Sequence, residues 1–232
     1  MYDIVFISYK ESTAEINWKK IFNRFPTRAK RLHGIKGIHR AHAVAANMVR
    51  TDMFYVVDAD ALIMPDFHFI YEVPADKQEH IHVFRAKNPI NDLVYGYGAV
   101  KLMPTEVVKK LLDFKLKTDM TTSLPNTKYN IVHELSNITA FNTDPFNTWR
   151  SAFRECAKLA SKVIDCQKDA ETEQRLDTWC TVGSDRQFGE YAIVGATQGR
   201  EYGYKHSNNV DELSKINDWE WMNNQYKDMY DE

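Results

Sequence analysis

The sequence predicts an α/β protein in which a sheet of buried strands is flanked by helices. Two short apolar runs, residues 4–7 and 54–57, are rich in β-branched and aromatic residues, and each ends abruptly in polar residues. Continuous apolar runs of this length are typical of strands that are buried on both faces of a sheet. Segments with apolar side chains at helical spacing lie between and after them, so strands and helices alternate along the chain.

The first strand is predicted over residues 3–8 and ends in polar Ser8, Tyr9 and Lys10. A helix is predicted over residues 15–25, because its apolar side chains recur at near-helical spacing and Pro26 ends it. We expect this helix to cover the sheet.

A basic segment, residues 28–40, precedes a predicted helix over residues 38–49 and contains five Lys or Arg, two His and two Gly. A glycine-containing loop that opens a helix presents backbone N–H groups and the positive end of the helix dipole, which favour phosphate. Lys36, His39 and Arg40 would add positive charge. A solvated basic loop is the alternative. The two glycines match neither the GxGxxG nor the P-loop pattern.

The strand predicted over residues 54–57 ends in Asp58-Ala59-Asp60. In open α/β sheets ligands bind in the crevice outside the carboxyl ends of the strands. Side chains alternate along an extended chain, so Asp58 and Asp60 can project to the same side and offer oxygen ligands to one divalent cation. Ordinary turn chemistry also explains an Asp-Ala-Asp at a strand end.

Further elements are predicted along the rest of the chain. Strands are expected over residues 81–85 and 94–103, and helices over residues 104–114 and 146–163. The last of these helices carries a row of basic residues at intervals of four: Arg150, Arg154, Lys158 and Lys162. Such a row can follow an anionic polymer or can form a solvated helix side. Residues 118–127 are expected to form a polar loop.

Composition agrees with a soluble globular protein of 232 residues, 44% hydrophobic and 27% charged. The net charge of -2 conceals an asymmetry, since residues 1–50 carry ten Lys or Arg against three acids, whereas residues 211–232 carry seven acids against two Lys. The three cysteines lack CxxC spacing, which argues against a zinc cluster or a disulfide framework. Neither a signal peptide nor a membrane span is visible, so we expect a cytoplasmic protein.

The order of these parts resembles the GT-A fold of nucleotide-sugar glycosyltransferases, a Rossmann-like, mixed and mostly parallel sheet flanked by helices. The resemblance is carried by the first strand, by Gly37-Ile-His-Arg-Ala-His-Ala-Val-Ala-Ala-Asn, and by Tyr55-Val-Val followed by Asp58-Ala-Asp60, which matches the metal-binding Asp-x-Asp signature of that family. It is best over residues 1–105. It implies a nucleotide-sugar-binding part, residues 1–105, and a more helical acceptor-side part, residues 106–232, within one compact unit.

The resemblance also implies roles for individual residues. Mn²⁺ or Mg²⁺ would be bound by Asp58, Asp60 and His206, and a UDP-sugar donor would contact a larger set: Ser8, Tyr9, Lys36, His39, Arg40, Asp58 and Ala59. Asp185 lies where GT-A enzymes place a catalytic base at a helix start, although this sequence has Ser184-Asp185 instead of the usual Glu-Asp pair. Asp144 and Glu134 are the alternatives for the base.

Phe-Ile-Ser-Tyr, Arg-Ala-Lys-Arg-Leu-His-Gly-Ile-Lys-Gly-Ile-His and Val-Val-Asp-Ala-Asp are also similar to segments of small glycosyltransferases of tailed bacteriophages. Some of those resemble enzymes that attach sugars to hydroxymethylated cytosine, so this resemblance implies double-stranded DNA as an acceptor. Two other functions stay open: nucleotidyl transfer on a related fold, and binding of nucleic acid or carbohydrate without catalysis.

Overall fold

The computed structural model describes residues 1–115, 117, 120, 123–124, 128–163 and 169–230. Most of the loop expected over residues 118–127 lies outside this range. Within it, one sheet contains seven strands: β1 (Asp3–Ser8), β2 (Ala29–His33), β3 (Met53–Asp58), β4 (Ala61–Ile63), β5 (Ile81–Lys87), β6 (Val94–Pro104) and β7 (Tyr129–Thr139). The helices are α1 (Ala14–Arg24), α2 (Ile38–Asn47), α3 (Thr105–Lys109), α4 (Pro145–Ser161), α5 (Asp169–Thr181), α6 (Gly189–Lys205), α7 (Val210–Ser214) and α8 (Trp219–Tyr230).

The strand order across the sheet is β2-β1-β3-β6-β5-β7-β4. β1 runs parallel to β2 and β3, β6 is antiparallel to both β3 and β5, β7 is parallel to β5, and β4 is antiparallel to β7. Five strands therefore share one direction, and β6 and β4 run against them. The predicted α/β class, with a mixed sheet flanked by helices and a helical carboxyl-terminal part, is confirmed.

Contacts divide the chain into two compact units. The first comprises residues 1–88, 94–116 and 123–140 and contains the whole sheet with α1–α3. The second comprises residues 89–93, 117–122 and 141–232 and contains α4–α8. The boundary that the sequence suggested after residue 105 falls inside the first unit, because β7 joins the sheet from later in the chain.

Burial on both faces of the sheet explains why the central strands could be predicted from the sequence. All of Met53–Val57 in β3 is buried, and β1 has the bounds expected from its apolar run. The first unit has an aromatic cluster at its core, in which Phe67 contacts Phe69 and Phe84 at ring-centroid distances of 4.7 and 5.1 Å. The predicted helices α1, α2 and α4 also form, with ends shifted by one or two residues.

Three parts of the sequence interpretation need correction. The basic segment is only partly a loop, because residues 29–33 form the edge strand β2, in which Ala29 and Leu32 are buried and Lys30 and Arg31 lie half-exposed. The helix expected over residues 104–114 is the short α3 followed by a single 3-10 turn. Strands β4 and β7 and helix α5 were not anticipated.

In the second unit, α4 and α6 pack with their backbones close together. Cβ atoms added at Gly195, Gly199 and Gly203 would lie 2.2 to 2.5 Å from the carbonyl oxygens of α4 residues. Glycine is therefore required at all three positions, which follow one another every four residues along one face of α6. We call this contact the glycine seam.

No helix in the described part of the chain combines the length and the apolar character that crossing a membrane requires.

A buried histidine lies at the start of β5. His82 is fully buried, its Nε2 is 3.0 Å from the Lys77 carbonyl oxygen, and its Nδ1 is 3.1 Å from Asn130 Nδ2. The carbonyl accepts and the Asn130 amide donates, so the ring is neutral with its proton on Nε2. Burial lowers the pKa of His82, more than the Lys77 carbonyl raises it.

We predict that the free energy of unfolding falls as the pH drops below about 6.5, where His82 in the unfolded chain takes up a proton that the folded protein resists. The contribution of one such group is at most about 1.4 kcal/mol per pH unit. Chemical denaturation of wild type and His82→Gln between pH 5 and 7.5 measures it. The substitution should flatten the pH dependence, and His133→Gln, at an exposed position on β7, serves as the control for removing an imidazole from outside the core.

Candidate functional site

The carboxyl ends of β1, β2 and β3 lie side by side at one edge of the sheet. Their parallel pairing sets Ser8 opposite His33 and Ile7 opposite Asp58. The buried Ser8 hydroxyl lies 2.9 Å from His33 Nδ1, and the Ser8 carbonyl oxygen accepts a hydrogen bond from the Gly34 N–H. Polar groups of all three strands thus meet where ligands bind in α/β sheets. His33 was overlooked in the sequence because β2 was not recognised.

The Asp58-Ala59-Asp60 segment forms the turn between β3 and β4. Asp58 and Asp60 are half-buried, whereas Ala59 is only 2% exposed. The Ala59 carbonyl accepts from the side-chain amide of Asn17 on α1 at 2.8 Å, and the Asp60 carbonyl accepts from the Ala140 N–H at 2.7 Å. Both carboxylates are therefore carried on a backbone that is held from two sides.

A chain of buried polar side chains lies beside this turn. β4 pairs with β7, where Ser136 donates to the side-chain oxygen of Asn137 at 2.7 Å, and Asn137 donates to the Thr139 hydroxyl at 3.1 Å. All three residues are buried. These residues were missed because β7 was not predicted, although the three polar residues of Ser-Asn-Ile-Thr were a signal that could have been used.

The loop after β1 is organised by a carboxylate. The half-buried Tyr9 donates its backbone N–H to the Glu11 side chain at 2.7 Å. Glu11 was not among the predicted site residues. Its bond fixes the chain directly after Ser8, at the edge that carries Asp58.

The amino terminus of α2 has the features expected of an anion site. Gly37, which precedes the helix, has φ +92°, and a Cβ there would meet no atom within 4 Å, so the backbone conformation alone requires glycine. The first turn of α2 contains no acidic residue. Lys36 and Arg40 are exposed, whereas His39 is half-buried with its Nε2 3.0 Å from the Ser123 hydroxyl.

Asp185, in the second unit, does not lie at a helix start. It is exposed in a turn, and α6 begins four residues later at Gly189 after the left-handed Phe188. The expectation that Asp185 lies at a helix start is therefore wrong. Gly183, with φ +102°, packs so closely against Ile90 that a Cβ would lie 2.3 Å from the Ile90 carbonyl oxygen, and this approach directs the chain into a turn.

Asp144 has a structural role, because it caps α4. One of its carboxylate oxygens accepts from the Asn147 backbone N–H at 2.8 Å, and the other accepts from the Asn147 side chain at 2.6 Å and the Thr143 hydroxyl at 3.1 Å. Glu134 lies at an exposed position on β7. Partial desolvation of its carboxyl group nevertheless raises its pKa, and the nearby Asp66 raises it further.

His206 follows the last residue of α6, and its ring packs against Tyr202 with a centroid distance of 4.5 Å. Tyr202 donates to the Glu212 carbonyl at 2.8 Å, and burial raises the pKa of this tyrosine to about 12. The role of His206 as a metal ligand stays a prediction.

The donor set at the β3–β4 turn fits a hard divalent cation. No group of three or more His, Cys, Asp or Glu side chains that could hold a metal is found among the residues that the structure describes. Mg²⁺ is usually bound by one or two carboxylates together with substrate phosphates rather than by a complete protein cage. Asp58 and Asp60, carried on a fixed turn, suit this kind of shared site.

No family model matches the sequence, and no curated protein matches it. Among solved structures, a mannosyltransferase from Pyrobaculum calidifontis in complex with GDP-Man and Mn²⁺ is 12% identical, with a TM-score of 0.47 over 100% of this chain and 89% of the other. A glycosyltransferase involved in the glycosylation of the major capsid of PBCV-1 is 11% identical, with a TM-score of 0.35 over 56% of this chain and 81% of the other.

A protein from Bacillus anthracis assigned as a glucose-1-phosphate thymidylyltransferase, in complex with a sucrose, is 14% identical, with a TM-score of 0.39 over 56% of this chain and 68% of the other. These three structural neighbours are two glycosyltransferases and one nucleotidyltransferase. At these identities and TM-scores, no property of these proteins transfers to this chain.

We predict that Asp60→Ala lowers the Mn²⁺-dependent affinity for a UDP-sugar by at least about 10-fold. This is the lower end of the range seen when groups that support a bound metal are lost. The fold should persist, because Asp60 lies in a turn outside the core. Calorimetric titration with and without Mn²⁺ measures the effect.

The matched control is Asp52→Ala. Asp52 is an exposed acid directly before the other end of β3, so it tests for a general effect of lost negative charge near this strand. Unchanged Mn²⁺-dependent binding in Asp60→Ala would reduce the Asp-Ala-Asp segment to an ordinary turn.

Proposed function

We propose that this protein is a metal-dependent glycosyltransferase that moves a sugar from a UDP-sugar to an acceptor hydroxyl. The observation that supports this most directly is the Asp58-Ala59-Asp60 turn, which carries two half-buried carboxylates on a fixed backbone at the carboxyl edge of a largely parallel sheet. That edge also carries Ser8 and His33, and α2 follows β2 in the same unit.

The residues of the first unit would share the binding of the donor. Asp58 and Asp60 would hold the cation, which when bound neutralises the charge that develops on the leaving diphosphate. Ser8, Tyr9 and Ala59 would contact the nucleoside, Ala59 through its backbone because its side chain is buried. The diphosphate would face the α2 amino terminus, where Lys36, His39 and Arg40 add positive charge.

The acceptor hydroxyl must lose its proton if the enzyme inverts the configuration of the sugar, and we assign this role to Asp185, with Asp144 as the alternative. Exposure of Asp185 in a turn suits a group that meets a second substrate. Asp144 is less suited, because both of its oxygens accept hydrogen bonds at the start of α4. His206 remains the proposed third metal ligand.

Nucleotidyl transfer is the less favoured alternative. Enzymes of that class would need a glycine-rich loop directly after the first strand, and residues 8–13 contain no glycine. The Tyr9 N–H is held by a side chain, that of Glu11, at 2.7 Å.

For the acceptor, we propose hydroxymethylated cytosine in double-stranded DNA, which rests on the resemblance to phage enzymes. The basic row on α4 supports it less than the sequence suggested. Arg150 lies over the Trp219 ring at 4.2 Å, Arg154 donates to Asn217, Lys158 pairs with Glu155 at 3.3 Å, and Lys162 pairs with Asp169 at 2.9 Å. Contacts within the second unit thus engage all four cations.

We predict Mn²⁺-dependent transfer from UDP-glucose or UDP-arabinose to duplex DNA that contains hydroxymethylcytosine, and slow hydrolysis of the donor when no acceptor is present. Product analysis of reactions with modified DNA, unmodified DNA, a protein and a lipid acceptor measures this. Transfer to protein or lipid alone would refute the DNA acceptor and leave the glycosyltransferase proposal intact. Binding of the donor without hydrolysis or transfer to any acceptor would favour a non-catalytic protein.

A second prediction separates the two candidate bases. If Asp185 is the base, Asp185→Asn should lower turnover about 10²- to 10⁴-fold with little change in donor affinity. Asp144→Asn should retain most activity, because asparagine caps a helix as well as aspartate does. Steady-state kinetics and donor titrations of both variants measure this, and the reverse pattern would identify Asp144 as the base. Normal turnover in both variants would indicate a retaining enzyme or another base.

A further inference from the structure

We propose that Asn17 is a positioning residue for the Asp58-Ala59-Asp60 turn, and that it thereby sets the affinity of the two carboxylates for a divalent cation. The part of this inference that concerns metal binding rests on the proposed function. The first part, that Asn17 holds the turn in place, does not depend on it.

Asn17 lies in the buried face of α1. The buried residues of this helix are Ala14, Asn17 and Ile21, which share one face, and the other two are apolar. Asn17 is only 2% exposed. An amide in such a position is unfavourable unless it is hydrogen-bonded, so its partner explains why a polar side chain is accommodated here.

That partner is the backbone of the turn. Asn17 Nδ2 donates to the Ala59 carbonyl oxygen at 2.8 Å, across 42 residues of sequence, and both groups are buried. The same nitrogen lies 3.4 Å from the Thr13 hydroxyl, one helical turn earlier. A carbonyl oxygen can only accept, so the amide nitrogen rather than the amide oxygen must face Ala59.

The next carbonyl is held by a different part of the chain. The Asp60 carbonyl accepts from the Ala140 N–H at 2.7 Å, and the Ala59 methyl group is packed against the core. The two peptide groups that flank the Asp60 Cα atom are therefore both held, which sets the direction in which the Asp60 side chain leaves the backbone, while Asp58 is held by its pairing in β3.

A fixed turn matters because metal ligands must be well placed. Mg²⁺ requires near-ideal octahedral geometry, and catalytic groups generally need to be held within about 0.5 Å by the groups behind them. Loss of a group that orients ligands without touching the metal typically lowers metal affinity 10- to 100-fold. Asn17 is such a group for the cation proposed at Asp58 and Asp60.

The test uses Asn17→Leu, which keeps the shape but removes the donor, and Asn17→Asp, which replaces the donor with an oxygen that repels the Ala59 carbonyl. The control is Ile21→Val, one turn further along the same buried face, which loosens the packing of α1 but leaves the Asn17–Ala59 hydrogen bond in place. Two quantities are measured: hydrogen exchange of the peptide that contains residues 58–61, and Mn²⁺ affinity in the presence of UDP by electron paramagnetic resonance.

We expect faster exchange and about 10- to 100-fold weaker Mn²⁺ binding in both Asn17 variants, and neither effect in Ile21→Val. The aspartate variant is the more informative of the two. At a pH where the introduced carboxyl group is ionised, its negative charge would strengthen cation binding by Coulomb attraction, so weaker binding there identifies lost geometry as the cause.

Three results would overturn the inference: unchanged exchange in Asn17→Leu, tighter Mn²⁺ binding in Asn17→Asp, or an equal loss of affinity in Ile21→Val. If the wild-type protein takes up no Mn²⁺ with UDP, the proposed function and the metal step fail together. The exchange measurement still decides in that case whether Asn17 holds the turn.

Discussion

The parallel pairing of β1 with both β2 and β3 is the constraint on which the candidate site depends. Parallel strands end at the same edge, so this pairing sets Ser8, His33 and Asp58 side by side through backbone hydrogen bonds alone. If β3 were displaced by one residue, Asp58 would take the buried position that Val57 now occupies. The apolar run of β3 therefore determines where the first carboxylate emerges, and the contacts from α1 and from Ala140 determine the second.

The sequence predicted the central strands well because burial on both faces leaves a continuous apolar run, as in β1 and β3. β2 was missed because it is an edge strand, where only Ala29 and Leu32 need to be apolar. α5 was missed for a similar reason, since only Thr172, Leu176 and Trp179 are buried in a helix of 13 residues. Strands and helices with a narrow buried face leave only a weak pattern of apolar residues in the sequence.

The candidate site was likewise predictable from the sequence only in part. The Asp-Ala-Asp segment and the glycine before α2 were recognisable, since each follows from local chemistry. Asn17 and Ala140 were not, because both act on the turn from distant parts of the chain through backbone carbonyls. The helix start expected at Asp185 failed because Gly183 and Phe188 adopt left-handed conformations, and at Gly183 the close packing against Ile90, not the local sequence, requires glycine.

The glycine seam has a consequence for how the second unit folds. Each glycine within a helix is less favourable than alanine by about 1 kcal/mol, so three of them weaken the isolated α6 by roughly 3 kcal/mol. Such a segment has little helical structure before it meets its partner. α4 has a well-formed amino-terminal cap and a broad buried face, so it can form first and serve as the surface on which α6 becomes helical. Helix formation and helix docking then become a single cooperative event.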